Sequence, residues 1–282
     1  MRAKFHVLLG CLLAIVLVRM ALASDPTDAP VPLTHVHAHN DYEHKHPLFD
    51  AMACGICSVE ADINLVDGQL LVAHSRSAVK PGVTLQSLYL DPMRKLITQN
   101  GGRLYRNGPP AWLLIDFKSR PDSTYPVLRK ILQQYADILT TWDHGKMHQG
   151  AVTAILTGDH PSEDVVGAEE VRFAAIDGKL DALDRNPPAA LVPWMSSQWS
   201  LSFKWRGRGA MPDAERRKLR QIVDKSHQQG RLVRFWGAPD NATTWTELQD
   251  AAVDLINTDD LQGVKKFLSS RPYPDSSTPP HN

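Results

Sequence analysis

Eight short apolar runs with strand character recur along this chain, and segments of helical spacing separate them. The runs are "LTHVHAH", "CSVEADINL", "WLLIDFK", "AVTAILTG", "RFAAI", "ALVPWMSS", "GRLVRFWG" and "VDLINTD". Between them, "TYPVLRKILQQYADILTTW" and "DAERRKLRQIVDKSHQQG" repeat apolar residues at helical intervals, and the second closes on Gly230, a helix stop just before a strand. Alternation of this kind builds a parallel sheet wrapped by helices. Eight strands in one domain of roughly 250 residues predict a single α/β TIM barrel, (β/α)8, over residues 24–270. An open doubly wound sheet usually carries a Gly-rich phosphate turn after its first strand, and none is present here.

The two ends read differently. Arg2 and Lys4 precede the apolar "VLLGCLLAIVLV" and the small residues Ala21 and Ala23, the layout of a signal peptide over residues 1–23 cleaved before Ser24. The expected location is therefore secreted or periplasmic. A retained membrane span needs about 20 apolar residues, so no stable span is expected. "LLGC" around Cys11 is a weaker, lipoprotein-like alternative. The last stretch, residues 271–282, is rich in Pro and Ser and reads as a disordered tail. Lys plus Arg total 31 and Asp plus Glu total 31, so no global field favours nucleic acid. Cys54 and Cys57, spaced "CGIC", read either as two small buried residues or as a pair; zinc would need two more ligands nearby.

A barrel carries its chemistry at the C-terminal ends of its strands, on side chains that point inward. Strand side chains alternate faces. His35, His37 and His39 therefore share one face, with Val36 and Ala38 on the other. In the second strand Glu60 and Asp62 face inward, and in the third Leu114, Asp116 and Lys118 share a face. Two inward carboxylates are unfavourable without a cation between them. Asp67-Gly68 is a two-residue hairpin signal that pairs Val66 with Gln69 and Leu65 with Leu70, returning His74 to the level of Glu60 and Asp62. The fold expectation thus includes a β-hairpin inserted after strand 2.

The convergent set is Asn40, Glu60, Asp62 and Asp116, flanked by His39 and His74. Hard oxygen donors suit Mg²⁺ or Ca²⁺ better than zinc. Two imidazoles beside a divalent cation can divide the roles of base and acid near neutral pH. Together they suit displacement at phosphorus.

These residues resemble the glycerophosphodiester phosphodiesterase and phosphatidylinositol phospholipase C superfamily of TIM-barrel phosphodiesterases, in a branch with the fungal "altered inheritance of mitochondria" proteins. The resemblance runs through "HAHNDYEHKHPLFDA", "SVEADINLVDGQLLVAHS", "LLIDFKS", "RFWGAPDN" and "VDLINTDDL". It implies a phosphoric diester hydrolase with His39 and His74 as the acid/base pair and Glu60, Asp62 and Asp116 as metal ligands. Asn40 is similar to a metal-binding Asn of the phospholipase C pattern, and Lys118 resembles a phosphate-contacting lysine. In such enzymes a neighbouring substrate hydroxyl often attacks, giving a cyclic phosphate. The glycerol enzymes usually follow the first histidine with Arg-Gly and then a Pro-Glu-Asn run, where this chain has "HND" and "KHP"; it departs from them also at Asp116, where Glu is commoner, and in a short stretch between His74 and Asp116. The expected partner is a phosphodiester small molecule or a lipid headgroup, either a glycerophosphodiester or a phospholipid-type substrate. Arg76 or Arg234 is expected to replace the missing arginine on the phosphate, and Trp236 resembles a substrate-wall tryptophan.

The remaining candidates are plainer. His35 and His37 read as hydrogen-bonded core residues, with support of a metal ligand the alternative role for His37. His44 and His46 read as loop residues, and "FKWRGRG" as a solvated loop. A binuclear H-x-H metallohydrolase is the competing enzyme class; it would draw on Asp259 or Asp260 and on His144, His148 or His160. A non-catalytic relative that binds a phosphorylated ligand is the other.

Overall fold

The structure, a computed structural model, describes residues 30–273. The expected signal peptide and residues 274–282 of the expected tail lie outside the described residues. Twelve strands occur among them. They are β1 (Val36–Ala38), β2 (Ser58–Val66), β3 (Gln69–Val72), β4 (Ala111–Phe117), β5 (Thr141–Asp143) and β6 (Lys146–His148). Then come β7 (Val152–Gly158), β8 (Val171–Arg172), β9 (Ala175–Lys179), β10 (Trp194–Gln198), β11 (Leu232–Trp236) and β12 (Ile256–Thr258).

Eight of these run in the order β11-β10-β9-β7-β4-β2-β1-β12, each parallel to its neighbours. A single parallel bridge, Arg234 to Leu255, joins the two ends of that order and nearly closes the ring. The chain is a TIM barrel, as the alternation predicts. Strands that are covered on both faces need apolar residues on both, and the two faces serve different cores. Outward residues such as Val36, Ala38, Val59, Ala61, Ile63, Leu113 and Ile115 join the large core beneath the helices. Inward Leu114, Ile155, Ala175, Trp194 and Leu255 form a separate apolar floor with Trp142. Above that floor the inward side chains turn polar.

The hairpin forms in the expected register. Val66 faces Gln69 and Leu65 faces Leu70, with Asn64 and Ile63 opposite Leu71 and Val72. Asp67 and Gly68 both have positive φ, 49° and 78°, the conformation a two-residue primed turn requires. Ala73 N–H then bonds the Asp62 carbonyl, carrying the pairing one residue closer to His74.

Several boundaries differ from the sequence reading. The first strand keeps only Val36–Ala38, with His35 and His39 just outside it. The helix after β4 is Pro121–Gln133, and "TTW" turns into β5, part of a small antiparallel sheet with β6 and β8. That small sheet supplies Trp142 to the barrel floor, so "TTW" has a strand role that its helical-looking context hid. In the run "RFAAI", Arg172 ends β8 of the small sheet, and the barrel strand starts only at Ala175 and continues to Lys179. Of the expected tail, Arg271 donates to Asp250, and Tyr273 stacks on His35 at 4.0 Å. Cys54 and Cys57 are free and buried, and burial pushes the Cys57 thiol up to about 12. Among the described residues no helix is long and apolar enough to cross a membrane.

Candidate active site

The C-terminal mouth of the barrel holds a cavity of about 540 Å³. Its walls include His39, Asn40, Glu60, His74, Asp116 and Lys118, joined by Arg234 and Trp236 from β11. Every residue expected at the site except Asp62 and Arg76 therefore borders one space. Asp62 lies directly beneath it, fully buried, and contacts His74, Lys118 and Tyr42.

The carboxylates form the base of the site. Glu60, Asp62 and Asp116 each offer an oxygen, and these lie within 4.8 Å of one another. Strand register explains the clustering: Asp62 and Asp116 are direct neighbours across β2 and β4, and Glu60 precedes Asp62 by one pleat. Burial, followed by repulsion from Glu60 and Asp116, pushes Asp62 up to about 6. Burial also raises Asp116. Glu60 goes the other way. Burial opposes its charge, yet the His37 hydrogen bond and the Arg234 guanidinium hold it at about 2.

His37 supports Glu60 through a complete proton inventory. Burial lowers its ring to about 4, so it is neutral. Its Nε2–H donates to Glu60 Oε2 at 3.0 Å, and its Nδ1 accepts from Ser58 Oγ at 2.7 Å. Both ring nitrogens are engaged by β2, and His37 does not border the cavity. His144 bonds Asp143 on the small sheet and, like His148, does not border the cavity. His160 does border it, with Nδ1 donating to the Pro161 carbonyl.

The two catalytic candidates are each backed by an acid. His39 Nδ1 lies 2.9 Å from Asp259 Oδ1 across the seam where β12 meets β1. Burial opposes protonation of His39, but the Asp259 hydrogen bond and the Glu60 charge outweigh it and raise its affinity for a proton. His74 Nδ1 lies 3.1 Å from Asp62 Oδ2. The Tyr42 hydroxyl sits among them, 2.7 Å from Asp62 Oδ2, 2.8 Å from Asn40 Oδ1 and 3.3 Å from His74 Nδ1. With both Nδ1 atoms engaged, Nε2 of each ring is the nitrogen left for chemistry.

The donor set fits a divalent cation such as Mg²⁺ or Ca²⁺. Three clustered carboxylates and an amide are oxygen ligands of the hard kind. Asp62 Oδ1 is buried with no hydrogen-bond partner among the described residues. Gly158 leaves the space: at φ 73° it approaches Asp116 so closely that a Cβ there would lie 1.9 Å from Asp116 Oδ1. Lys118 Nζ bonds Asp116 at 2.7 Å and Asp62 at 3.0 Å, so its positive charge already balances part of the cluster.

The two arginines behave differently from the sequence expectation. Arg76 donates to the Leu65 carbonyl at the hairpin and does not border the cavity. Its place on a phosphate is a correction, because the short 3-10 turn after His74 directs it back to β2. Arg234 does border the cavity, but it is buried and donates to Ser196, Glu60, Asn257 and Asp177. Its guanidinium holds the acidic walls in place rather than standing free for a phosphate. Trp236 is 39% exposed and forms a wall, whereas Trp194 is barrel floor and Trp199 and Trp205 are outer core.

A family profile, the AIM6-like phosphodiesterase domain, matches residues 27–177, which takes in every site residue from His39 to Asp177. The chain belongs to the AIM6-like phosphodiesterase family. Altered inheritance of mitochondria protein 6 of Eremothecium gossypii is 32% identical, the match covering 88% of this chain and 72% of that one. The protein of the same name from Saccharomyces cerevisiae is 30% identical over 82% of this chain and 69% of its own length. A solved glycerophosphodiester phosphodiesterase from Parabacteroides distasonis shares the fold with a TM-score of 0.50 at 14% identity, covering 86% of this chain and 98% of that one. Arg234, Trp236 and Asp259 lie beyond the part that the AIM6-like profile matches.

Two site residues escaped the sequence reading, and a third was read in another role. Tyr42 had no signal, since a Tyr two residues after Asn40 is ordinary loop composition. Asp177 was legible in principle, because "AIDGK" places Ala175, Asp177 and Lys179 on one face. Asp259 entered only as a ligand for the competing scheme, and its pairing with His39 depends on ring closure.

Proposed function

We propose that this chain is a divalent-cation-dependent phosphodiesterase acting outside the cytoplasm on a glycerophosphodiester or phospholipid-type substrate. The observation that carries this reading is the shared cavity: two acid-backed histidines flank a buried carboxylate cluster and a lysine. The phosphodiesterase family and fold support the reaction class, and the apolar N-terminal stretch supports the location.

The chain's residues would divide the work as follows. Asn40, Glu60, Asp62 and Asp116 would hold the cation. When bound, it supplies Lewis-acid stabilisation of negative charge on the phosphoryl oxygens. Lys118 contributes positive charge to the same region. Asp259 keeps the His39 proton on Nδ1, so Nε2 is free to take the proton of the attacking hydroxyl, from water or from the substrate itself. Asp62 and Tyr42 orient His74, whose Nε2 delivers a proton to the leaving oxygen. Trp236 lines one side of the substrate space.

The test is a chelator-stripped assay over glycerophospho-headgroups, phosphatidylinositol, lysophospholipids and cyclic nucleotides, with Mg²⁺ or Ca²⁺ restored. Turnover should need the cation, and His39→Ala or His74→Ala should each lower kcat by about 10²-fold or more. Undiminished turnover in chelator, or in either variant, would sink the proposal.

A further inference from the structure

A second groove of about 410 Å³ lies beside the cavity; the two share Gly158, His160, Asp177 and Lys179 as walls, and Asp159, Asp164 and Asp181 border the second one further. Asp177 is a wall of both spaces, yet it is only 5% exposed. Its Oδ2 accepts from Thr157 Oγ1 at 3.0 Å and from Arg234 Nη2 at 3.3 Å. Its Oδ1 is buried and has no hydrogen-bond partner among the described residues. A buried acceptor left unpaired is destabilising, and more so when charged.

We infer that Asp177 is a specificity-determining residue whose Oδ1 accepts a hydrogen bond from a hydroxyl or primary ammonium on the non-reacting arm of the substrate. The inference rests on the phosphodiesterase reading for what fills the cavity. Its consequence is selective. An arm that ends in an alkyl group or a quaternary ammonium has no N–H or O–H to give and leaves Oδ1 unpaired. Sites built around a hydrogen bond reject analogues lacking it far more strongly than apolar pockets reject a missing methylene.

The experiment compares phosphodiesters with one common reacting side and four arms: ethanolamine, glycerol, choline and propyl. Wild-type kcat/KM should favour the ethanolamine and glycerol arms over choline and propyl by at least about tenfold. Which of the first two leads distinguishes an ammonium from a hydroxyl. Asp177→Asn, which keeps the side-chain volume, should lower kcat/KM for the donor arms about tenfold more than for the other two, so the ranking collapses. An equal loss on all four arms, or wild-type turnover of choline and propyl arms equal to that of ethanolamine, overturns the inference. Calorimetric titration of the same four compounds into His74→Ala, whose Asp177 wall is intact, should reproduce the ranking in Kd. If the wild type turns over none of them, the broader chelator-stripped panel decides the proposed function, and the Kd ranking still decides the role of Asp177. No ranking there overturns it.

Discussion

His74 Nδ1 lies 3.1 Å from Asp62 Oδ2, although twelve residues and a complete chain reversal separate them. The reversal is the two-residue turn Asp67-Gly68, and Gly68 sits at φ 78° with no atom near the position a Cβ would take. A side chain there meets no steric obstacle, so its cost is conformational. Gly68→Val should destabilise the fold by about 1–2 kcal/mol, the left-handed penalty of an L-residue. It should also lower turnover further than its lost stability explains, because His74 rides on the hairpin. Thermal unfolding beside activity measured well below the midpoint checks this; unchanged turnover would mean that the turn does not position His74.

Gly158 makes a different demand, since its neighbour is Asp116 itself. A Cβ at 1.9 Å from Asp116 Oδ1 must displace that carboxylate. Gly158→Ala should therefore weaken Ca²⁺ or Mg²⁺ binding by about 10-fold or more, the scale of losing support for a ligand. Calorimetric titration with each cation reads it directly. Wild-type affinity in the variant would remove Asp116 from the ligand set.

Asp259 acts on His39 from just beyond the last strand. Asp259→Asn retains a polar group but ends the charge that favours the Nδ1–H tautomer. The expected result is a fall in kcat of about 10²-fold with little change in KM, as befits a group acting through the base. A loss confined to KM would instead assign Asp259 to substrate binding.

Away from the site, His227 Nε2 lies 2.8 Å from Asp254 Oδ2 at the opposite end of the barrel. The Asp254 hydrogen bond raises the His227 pKa above 6.5. A raised folded-state pKa adds stability that is complete below the unfolded value and lost as pH rises through the folded one. The imidazole is 39% exposed, so solvent screening limits the gain to under about 1 kcal/mol. The difference in melting temperature between wild type and His227→Gln should shrink as pH rises above 6.5, and a difference that grows would refute the pairing.

Much of this molecule was legible before folding because its signals are local. A strand's alternation needs only its own residues, so "VEADI" and "LLIDF" declared Glu60, Asp62 and Asp116 as one inward face. Turn chemistry needs only Asp67 and Gly68, and that sufficed to bring His74 home. Eight such runs in series left the barrel as the natural closure.

Tertiary structure decided which partners each group has. Arg234 reaches Glu60 from 174 positions away, and His39 meets Asp259 across 220. Neither meeting has a local signature, because both depend on the ring closing between β11, β12 and β1. The same closure turned Arg234 from a free cation into a clasp for Glu60 and Asp177, and a short turn carried Arg76 away. The order of residues thus determined which faces are polar and where the chain turns, through periodicity and backbone preference. Only the assembled barrel decided the hydrogen bonds, because donors and acceptors compete through space and the winner is whichever group closure brings within reach.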